Sequence, residues 1–239
     1  MRKLLSFFWL LIPVLAFSQQ KNVINVLRVF PKIDKRAAFE KALSAHAKKY
    51  HTGDFKWRIA EIESGPDAGG YSIVEGPMSW DQVDTRGDLG TEHMNDWDKV
   101  TAFLTDKYMS SYLVYREEFS TVPLTDYSDK YMVTHVFPKS GMGPSVEEDL
   151  KKLKAVWTAG SETVAVYQAS SSGPNQFIVV TRYKQGLKER EIGFRKPLKE
   201  RYEATHGGGS YALRLESNQK TSDLVWSELL FTRMDLGSK

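Results

Sequence analysis

Residues 23–76 and 130–182 show the same succession of short sequence patterns, which indicates an internal repeat. The segment Val29-Phe30-Pro31-Lys32 recurs 107 residues later, and Ser64-Gly65-Pro66 recurs 108 residues later. A third match closes each half, where Leu113-Val114-Tyr115 corresponds to Leu224-Val225-Trp226. Three matches in the same order and at nearly one spacing predict a duplicated unit of about a hundred residues, which is the size of a domain.

Within each half, alternating and helical apolar spacings predict the order strand, helix, strand, strand, helix, strand. The first half has its predicted strands near residues 23–30, 55–63, 71–75 and 111–121. The second half has them near residues 130–137, 161–170, 175–183 and 222–233.

Local signals place the helices between these strands. Asp34 is the predicted N-cap of the first helix, and the spacing of Trp97, Val100, Leu104 and Tyr108 predicts the second. The second helix of the other half is expected within residues 185–206. The glycines at 207–209 are expected to open a polar loop that runs to about residue 219, either as a plain helix stop or as a hinge over a cavity.

The order βαββαβ is that of a ferredoxin-like unit, whose sheet has helices on only one face. Two such units can cover their open faces by packing sheet to sheet. On element order and duplication the chain resembles the dimeric α/β-barrel superfamily, in a fused tandem version. That superfamily includes the antibiotic-biosynthesis monooxygenase-like, stress-responsive barrel, EthD-like and NIPSNAP-like proteins, together with the haem-binding chlorite dismutase group.

The resemblance implies an α+β fold in which two tandem ferredoxin-like βαββαβ repeats form a pseudo-dimeric α/β barrel. The first repeat is expected over residues 19–123 and the second over residues 124–239. It also implies that a ligand lies between a sheet and its helices, or between the two sheets. A monomer with this internal pseudo-dimer, or a homodimer, is the expected assembly.

Residues 1–18 have the features of a secretory signal peptide. Arg2 and Lys3 precede an apolar run of 14 residues, and Ala16 and Ser18 supply the small side chains that a signal peptidase requires. A membrane-spanning helix needs about 20 apolar residues, so a retained anchor is disfavoured. We therefore expect cleavage near Ser18, export to the periplasm or the medium, and no membrane anchoring afterwards.

Composition excludes several classes of function. Without Arg2 and Lys3, the 33 basic residues fall to 31 against 30 acidic residues, and no basic block is present. Nucleic acid is therefore not an expected partner. The chain contains no cysteine, which excludes disulfides, thiolate metal sites and a cysteine nucleophile.

Four polar residues on otherwise apolar strands are the candidate site. Arg28 and His135 are equivalent in the repeat, as are Glu117 and Glu228. Since the first and fourth strands of a ferredoxin-like unit are neighbours, Arg28 is predicted to pair with Glu117, and His135 with Glu228. The second pair would be catalytic if Glu228 positions His135 as a general acid or base. The alternative is that both pairs are structural cross-strand contacts.

Aromatic residues and the other histidines complete the set. Trp226, Trp97, Tyr115 and His93 are candidates for lining a pocket that holds a flat apolar molecule. The resemblance to haem-binding members makes His93 and His206 conceivable axial ligands, although no cofactor is expected.

The remaining two histidines have structural interpretations. His46 is interpreted as a core residue, and His51 as a partly charged group at a helix C-terminus. No metal site is expected, because no HExxH, paired-histidine or carboxylate motif is present.

Three functions remain open at this point. The first is an exported barrel that binds a small, partly apolar or aromatic molecule. The second is a cofactor-independent monooxygenase-like or isomerase-like enzyme that uses His135 and Glu228. The third is an interaction protein with a solid interior. An open cavity at His135 would separate the first two from the third.

Overall fold

In the computed structural model, which describes residues 20–238, the chain folds into eight strands and six α-helices. The strands are β1 (Val23–Pro31), β2 (Trp57–Ile62), β3 (Tyr71–Met78), β4 (Leu104–Tyr115), β5 (Lys130–Pro138), β6 (Thr163–Ser170), β7 (Phe177–Arg182) and β8 (Ser222–Thr232). The helices are α1 (Arg36–Tyr50), α2 (Trp80–Thr85), α3 (Thr91–Thr101), α4 (Gly143–Ala159), α5 (Leu198–His206) and α6 (Ser210–Thr221). The predicted signal peptide lies outside the described residues.

The eight strands close into one antiparallel barrel, in the order β1-β3-β2-β8-β5-β7-β6-β4. Read from β4, this order contains β4-β1-β3-β2 followed by β8-β5-β7-β6, and each set of four has the ferredoxin-like arrangement. The two sets join where β2 pairs with β8 and where β4 pairs with β6. The fold is therefore a pseudo-dimeric α/β barrel, as predicted, and it closes within a single chain.

Alternation along the strands divides the apolar side chains into an interior and two outer layers. Ile24 and Val26 of β1 point into the barrel and join an interior cluster with Leu230. Val29 points outward, into a layer that contains Phe39 of α1. The second outer layer lies under α4 and includes Leu150, Trp157, Val164 and Phe177. No helix among the described residues combines the length and the apolar character that a bilayer crossing requires.

The boundary between α3 and β4 differs from the sequence prediction. α3 ends at Thr101, so Leu104 and Tyr108 of the predicted helical stripe belong to β4, which ends at Tyr115 rather than near residue 121. In β4 these two residues pair with Pro31 and Val29 of β1. A stripe of four apolar residues does not distinguish a helix from a strand, and the ladder with β1 decided the outcome.

Two further local predictions were wrong. The segment after Gly207 is α6 and not a loop: Gly207 and Gly209 have φ values of 92° and 78°, which end α5 and let the chain turn into a new helix. Arg214 of α6 then donates two hydrogen bonds to Asp149 of α4, which fixes the extra helix to the layer. Asp34 is not an N-cap, because α1 begins two residues later and has no side-chain cap.

Candidate functional site

A buried charge cluster joins the two strand sets inside the barrel. Nε2–H of His135 donates to Oε1 of Glu228 at 3.0 Å, and Nη1 of Arg28 donates to Oε2 of Glu228 at 2.9 Å. Nη1 of Arg28 also lies 2.9 Å from Oδ2 of Asp67, in the loop between β2 and β3. The side chains of His135 and Glu228 thus lie on the same face of adjacent strands, as the sequence predicted, and Arg28 reaches them from the other strand set.

The predicted contact between Arg28 and Glu117 was wrong. Glu117 is exposed in a short 3₁₀ turn after β4. Val133 lies opposite Glu228, and its equivalent Val26 lies opposite Ser111. Ser111 therefore occupies the position that corresponds to Glu228, and one carboxylate contacts both Arg28 and His135.

His135 is held on three sides. Its ring stacks on Trp226 at a centroid distance of 4.0 Å and an interplanar angle of 15°. Nδ1 lies 3.2 Å from Oε1 of Gln176, while Nε2 is bound to Glu228. Both ring nitrogens are thus engaged by the protein itself. Gln176 approaches His135 from the β6–β7 loop much as Asp67 approaches Arg28 from the β2–β3 loop.

The charges of this cluster are balanced. Burial alone would raise the pKa of Glu228, but the hydrogen bonds from His135 and Arg28 outweigh it and hold that pKa below its ordinary value. Burial is likewise outweighed at Asp67, where Lys107 and Arg28 lower the pKa. Both carboxylates are therefore ionised at neutral pH, and they match the charges of Arg28 and Lys107.

A cavity of about 580 Å³ occupies the barrel interior beside this cluster. Met109, which is 48% exposed, and the half-buried Trp226 lie where the cavity reaches the surface. Most of the lining is apolar or aromatic and comes from inward-facing strand positions, including Ile24, Val26, Ala60, Val74, Tyr131, Val133, Ile178, Val180 and Leu230. The interior is not solid, which argues against the interaction protein with a filled core.

Tyr115 is buried near this cavity without lining it. Its hydroxyl donates to the carbonyl oxygen of Val122, and its ring packs against Tyr167 at a centroid distance of 5.8 Å. Among the residues predicted to hold a ligand, Trp226 and Arg28 therefore line the barrel cavity with His135, and Tyr115 belongs to the surrounding core.

His93 and Trp97 line a different cavity, of about 350 Å³, between the outer face of the first strand set and helices α1 and α3. Here Nδ1 of His46 lies 3.0 Å from Asp96, and Nδ1 of His51 lies 3.2 Å from Glu75. Nε2 of His51 lies 3.2 Å from Nε2 of His46 and 3.5 Å from Nε2 of His93. One nitrogen from each of the three rings lies within 4.8 Å of the others.

The three histidines of this cluster are neutral at neutral pH. Burial lowers the pKa of His46 to about 4. Burial also lowers the pKa of His51 despite the opposing effect of Glu75, and burial with the charge of Arg86 lowers the pKa of His93. His46 is a fully buried core residue as predicted. The interpretation of His51 as a partly charged helix terminus was wrong, because the ring is buried against Trp57.

Sequence reasoning did not detect this cluster. His46 and His51 are five residues apart across the end of α1, and His93 follows 42 residues later, so no ligand motif exists. The packing of α1 against α3 brings the rings together. The only signal was that His46 shares a helical face with buried Phe39 and Leu43.

Neither histidine that the resemblance suggested for haem fits that group. His206 does not line the two cavities described above, and its Nε2 donates to the carbonyl oxygen of Lys152 at 3.0 Å. His93 lies too close to His51 for a porphyrin ring to pass between them. A third cavity, of about 530 Å³ beside α4 and α5, is lined by no histidine.

Comparisons with known proteins agree with this architecture. No protein-family model matches the sequence, and no curated protein matches it significantly. A "putative monooxygenase" from Lactobacillus acidophilus superposes with a TM-score of 0.54 at 10% identity, over 92% of this chain and 97% of that one. An "anthrone oxidase-like protein" gives 0.51 at 12% identity, over 90% and 92% of the two chains.

A "Putative Chlorite dismutase" gives a TM-score of 0.52 at 7% identity, over 90% of this chain and 96% of that one. These TM-scores establish a shared fold, and sequence identities this low leave activity open. The chain therefore has the fold of the dimeric α/β-barrel proteins, with both strand sets in one polypeptide.

Proposed function

We propose that the barrel interior binds a small, mainly apolar molecule with a planar or aromatic part. The observation that supports this most directly is the cavity of about 580 Å³, lined mostly by apolar and aromatic side chains. Its size falls within the range of known ligand pockets, which are apolar with a few polar groups that fix orientation. One group of polar side chains in the lining surrounds His135, and further polar residues, among them Arg58, Asp129 and Arg182, line the cavity elsewhere.

The charge balance of the His135 cluster favours an uncharged ligand beside it. Arg28 is paired with Glu228 and Asp67, so its charge is already compensated and does not require a carboxylate from the ligand. Burying an additional unpaired charge beside this cluster would cost free energy that no group there recovers. Trp226, stacked on His135 at the mouth, offers an aromatic edge and face to a planar molecule instead.

Binding is better supported than proton transfer. A histidine that acts as general base must present a free nitrogen within about 2.6–3.2 Å of the heavy atom that carries the proton. In His135 both nitrogens are engaged, by Glu228 at 3.0 Å and by Gln176 at 3.2 Å. Catalysis by His135 would require Gln176 to leave first, whereas binding requires no such rearrangement.

Filling the cavity should strongly weaken ligand binding. Ala60 is 3% exposed and lines the cavity, so Ala60→Phe places a ring in the space that a ligand needs. We expect the wild type to bind the neutral probe N-phenyl-1-naphthylamine with a fluorescence increase, and Ala60→Phe to bind it at least tenfold more weakly. The matched control is Ala38→Phe on the exposed side of α1. Equal binding by wild type and Ala60→Phe, with both folded, would rule out the barrel cavity.

We also propose that the protein is exported, on the basis of its N-terminal sequence. Arg2 and Lys3 followed by 14 mainly apolar residues are typical of a signal peptide. Expression of the full chain in a Gram-negative host should give a periplasmic product whose N-terminal sequencing starts near Gln19. A product that retains Met1 and stays in the cytoplasm would contradict export.

The two strand sets are further proposed to be the units of a fused tandem repeat, over residues 19–123 and 124–239. Two features support this, beyond the sequence matches. Both sets have the same strand order. Arg28 and His135, equivalent in the repeat, meet inside the barrel with 3.5 Å between Nη2 and Nε2.

A further inference from the structure

We propose that His46, His51 and His93 bind one transition-metal ion of the Zn²⁺ class, with an open coordination position that faces the cavity between the sheet and α1. This site lies on the outer side of the first strand set. It is therefore independent of any ligand in the barrel, and either assignment can fail without the other.

The distances between the nitrogens support this site. Zn–N bonds of about 2.0–2.1 Å in tetrahedral geometry place ligand nitrogens about 3.3–3.4 Å apart. Nε2 of His51 lies 3.2 Å from that of His46 and 3.5 Å from that of His93, which brackets this value. The remaining distance, between the ligand nitrogens of His46 and His93, is no longer than 4.8 Å. Nδ1 of His93 is buried without a hydrogen-bond partner, so no hydrogen bond at that atom opposes the small ring rotation that would shorten this distance.

Two of the three rings have the outer partners that metal-bound histidines require. Asp96 lies 3.0 Å from Nδ1 of His46, and Glu75 lies 3.2 Å from Nδ1 of His51. A carboxylate at Nδ1 fixes the proton there, so that Nε2 presents its lone pair to the metal. Glu75 is itself held by the indole N–H of Trp57 at 2.6 Å.

With those tautomers, the protein alone leaves two lone pairs facing each other. Nε2 of His46 and Nε2 of His51 would be acceptors 3.2 Å apart with no hydrogen between them, which is unfavourable unless a cation lies beside both. The alternative without metal has Arg86 donating to Nδ1 of His51, 3.3 Å away, and Nε2–H of His51 donating to His46. That arrangement sets Nδ1 against the ionised Glu75 as a second acceptor, so it resolves one conflict by creating another.

The surrounding charges and ligand types indicate which ions fit. Two carboxylates, Glu75 and Asp96, contact the histidines, and one cation, Arg86, does so as well. The side chains in direct contact with the three rings therefore carry a net negative charge. Three neutral imidazoles suit Zn²⁺, Co²⁺, Ni²⁺ and Cu²⁺ rather than Mg²⁺ or Ca²⁺, which prefer oxygen ligands. Three histidines with an open fourth position are an arrangement that can bind water or a small ligand.

Equilibrium dialysis of tag-free, EDTA-treated protein against micromolar ZnCl₂ tests the site directly. We expect one Zn²⁺ per chain. Titration with CoCl₂ should give the intense visible absorption bands of a tetrahedral ion, which excess Zn²⁺ removes. Failure of the wild type to take up Zn²⁺ at micromolar concentration would overturn the proposal.

Variants identify the ligands. His93→Gln, at the half-buried position, and His51→Gln should each weaken Zn²⁺ binding at least tenfold, and Asp96→Asn should weaken it about tenfold through His46. His206→Gln is the matched control in the other strand set and should bind as the wild type does. Circular dichroism checks that each variant is folded. Unchanged affinity in folded His51→Gln and His93→Gln, or an equal loss in His206→Gln, would overturn the proposal.

Discussion

Replacing Glu228 by alanine should lower the free energy of unfolding by about 3–5 kcal/mol at neutral pH, because removing one partner strands the charge of the other. Glu228 is 1% exposed and accepts hydrogen bonds from both Arg28 and His135. Its loss leaves Arg28 with Asp67 alone. Urea unfolding followed by circular dichroism measures the change.

Glu117→Ala is the matched control, because Glu117 is exposed and its side chain does not reach Arg28. We expect a change within about 0.5 kcal/mol. A comparable loss of unfolding free energy in Glu117→Ala and Glu228→Ala would contradict the buried pairing of Arg28 with Glu228. It would instead support the pairing of Arg28 with Glu117 that the sequence suggested.

The difference in the free energy of unfolding between wild type and Glu228→Ala should also depend on pH. The pKa of Glu228 is lowered in the folded protein from its ordinary value of 4.5. Its stabilising contribution is therefore complete above pH 4.5 and is lost as the pH falls through the folded pKa. The difference in the free energy of unfolding between the two proteins should accordingly become smaller in acid. A gap that stays constant into strong acid would show that lost packing, rather than the ion pairs, causes the destabilisation.

Phe39→Ala should lower the free energy of unfolding by about 3–5 kcal/mol, which is the usual cost of emptying a phenylalanine site in a core. Phe39 is 0% exposed, and its ring packs on Tyr71 of β3 at a centroid distance of 5.2 Å. The substitution opens a cavity between α1 and the sheet. The control is Ile33→Ala, at a position that is 99% exposed, where we expect almost no change.

This substitution also tests how the two strand sets are coupled. β2 pairs with β8 and β4 pairs with β6, so the sets share one hydrogen-bonded barrel. We expect Phe39→Ala to shift a single transition, with circular dichroism and tryptophan fluorescence coincident. Two separate transitions, with only one shifted, would instead show that residues 19–123 and 124–239 unfold as independent domains.

Much of the candidate barrel site was predictable from local pattern. Alternation and the repeat predicted that His135 and Glu228 share one face of the sheet, and the ferredoxin-like order made their strands neighbours. The repeat identified Arg28 as the equivalent of His135. The partner of Arg28 could not be predicted in this way, because short matches such as Leu113 with Leu224 left the register of the fourth strands undetermined. Backbone pairing of β4 with β1 fixed that register.

The histidine cluster shows a different limit. Its ligands come from the end of α1 and from α3, which are separated by a loop, two strands and a short helix. Metal-ligand motifs are recognisable in sequence when one helix or loop supplies several donors at fixed spacing. His46, His51 and His93 have no such spacing, so only the crossing of α1 over α3 reveals that their rings meet.

The sequence by itself determined the class of fold, since the duplicated order of strands and helices and the apolar alternation of each strand permit few other ways to bury both sheets. It also determined that Arg28 and His135 would be equivalent. The tertiary structure decided that the barrel holds a cavity, that one carboxylate contacts both Arg28 and His135, and that three histidines converge outside the barrel. The physical reason is that strand register and helix crossing depend on contacts between segments far apart in the chain, which local periodicity does not encode.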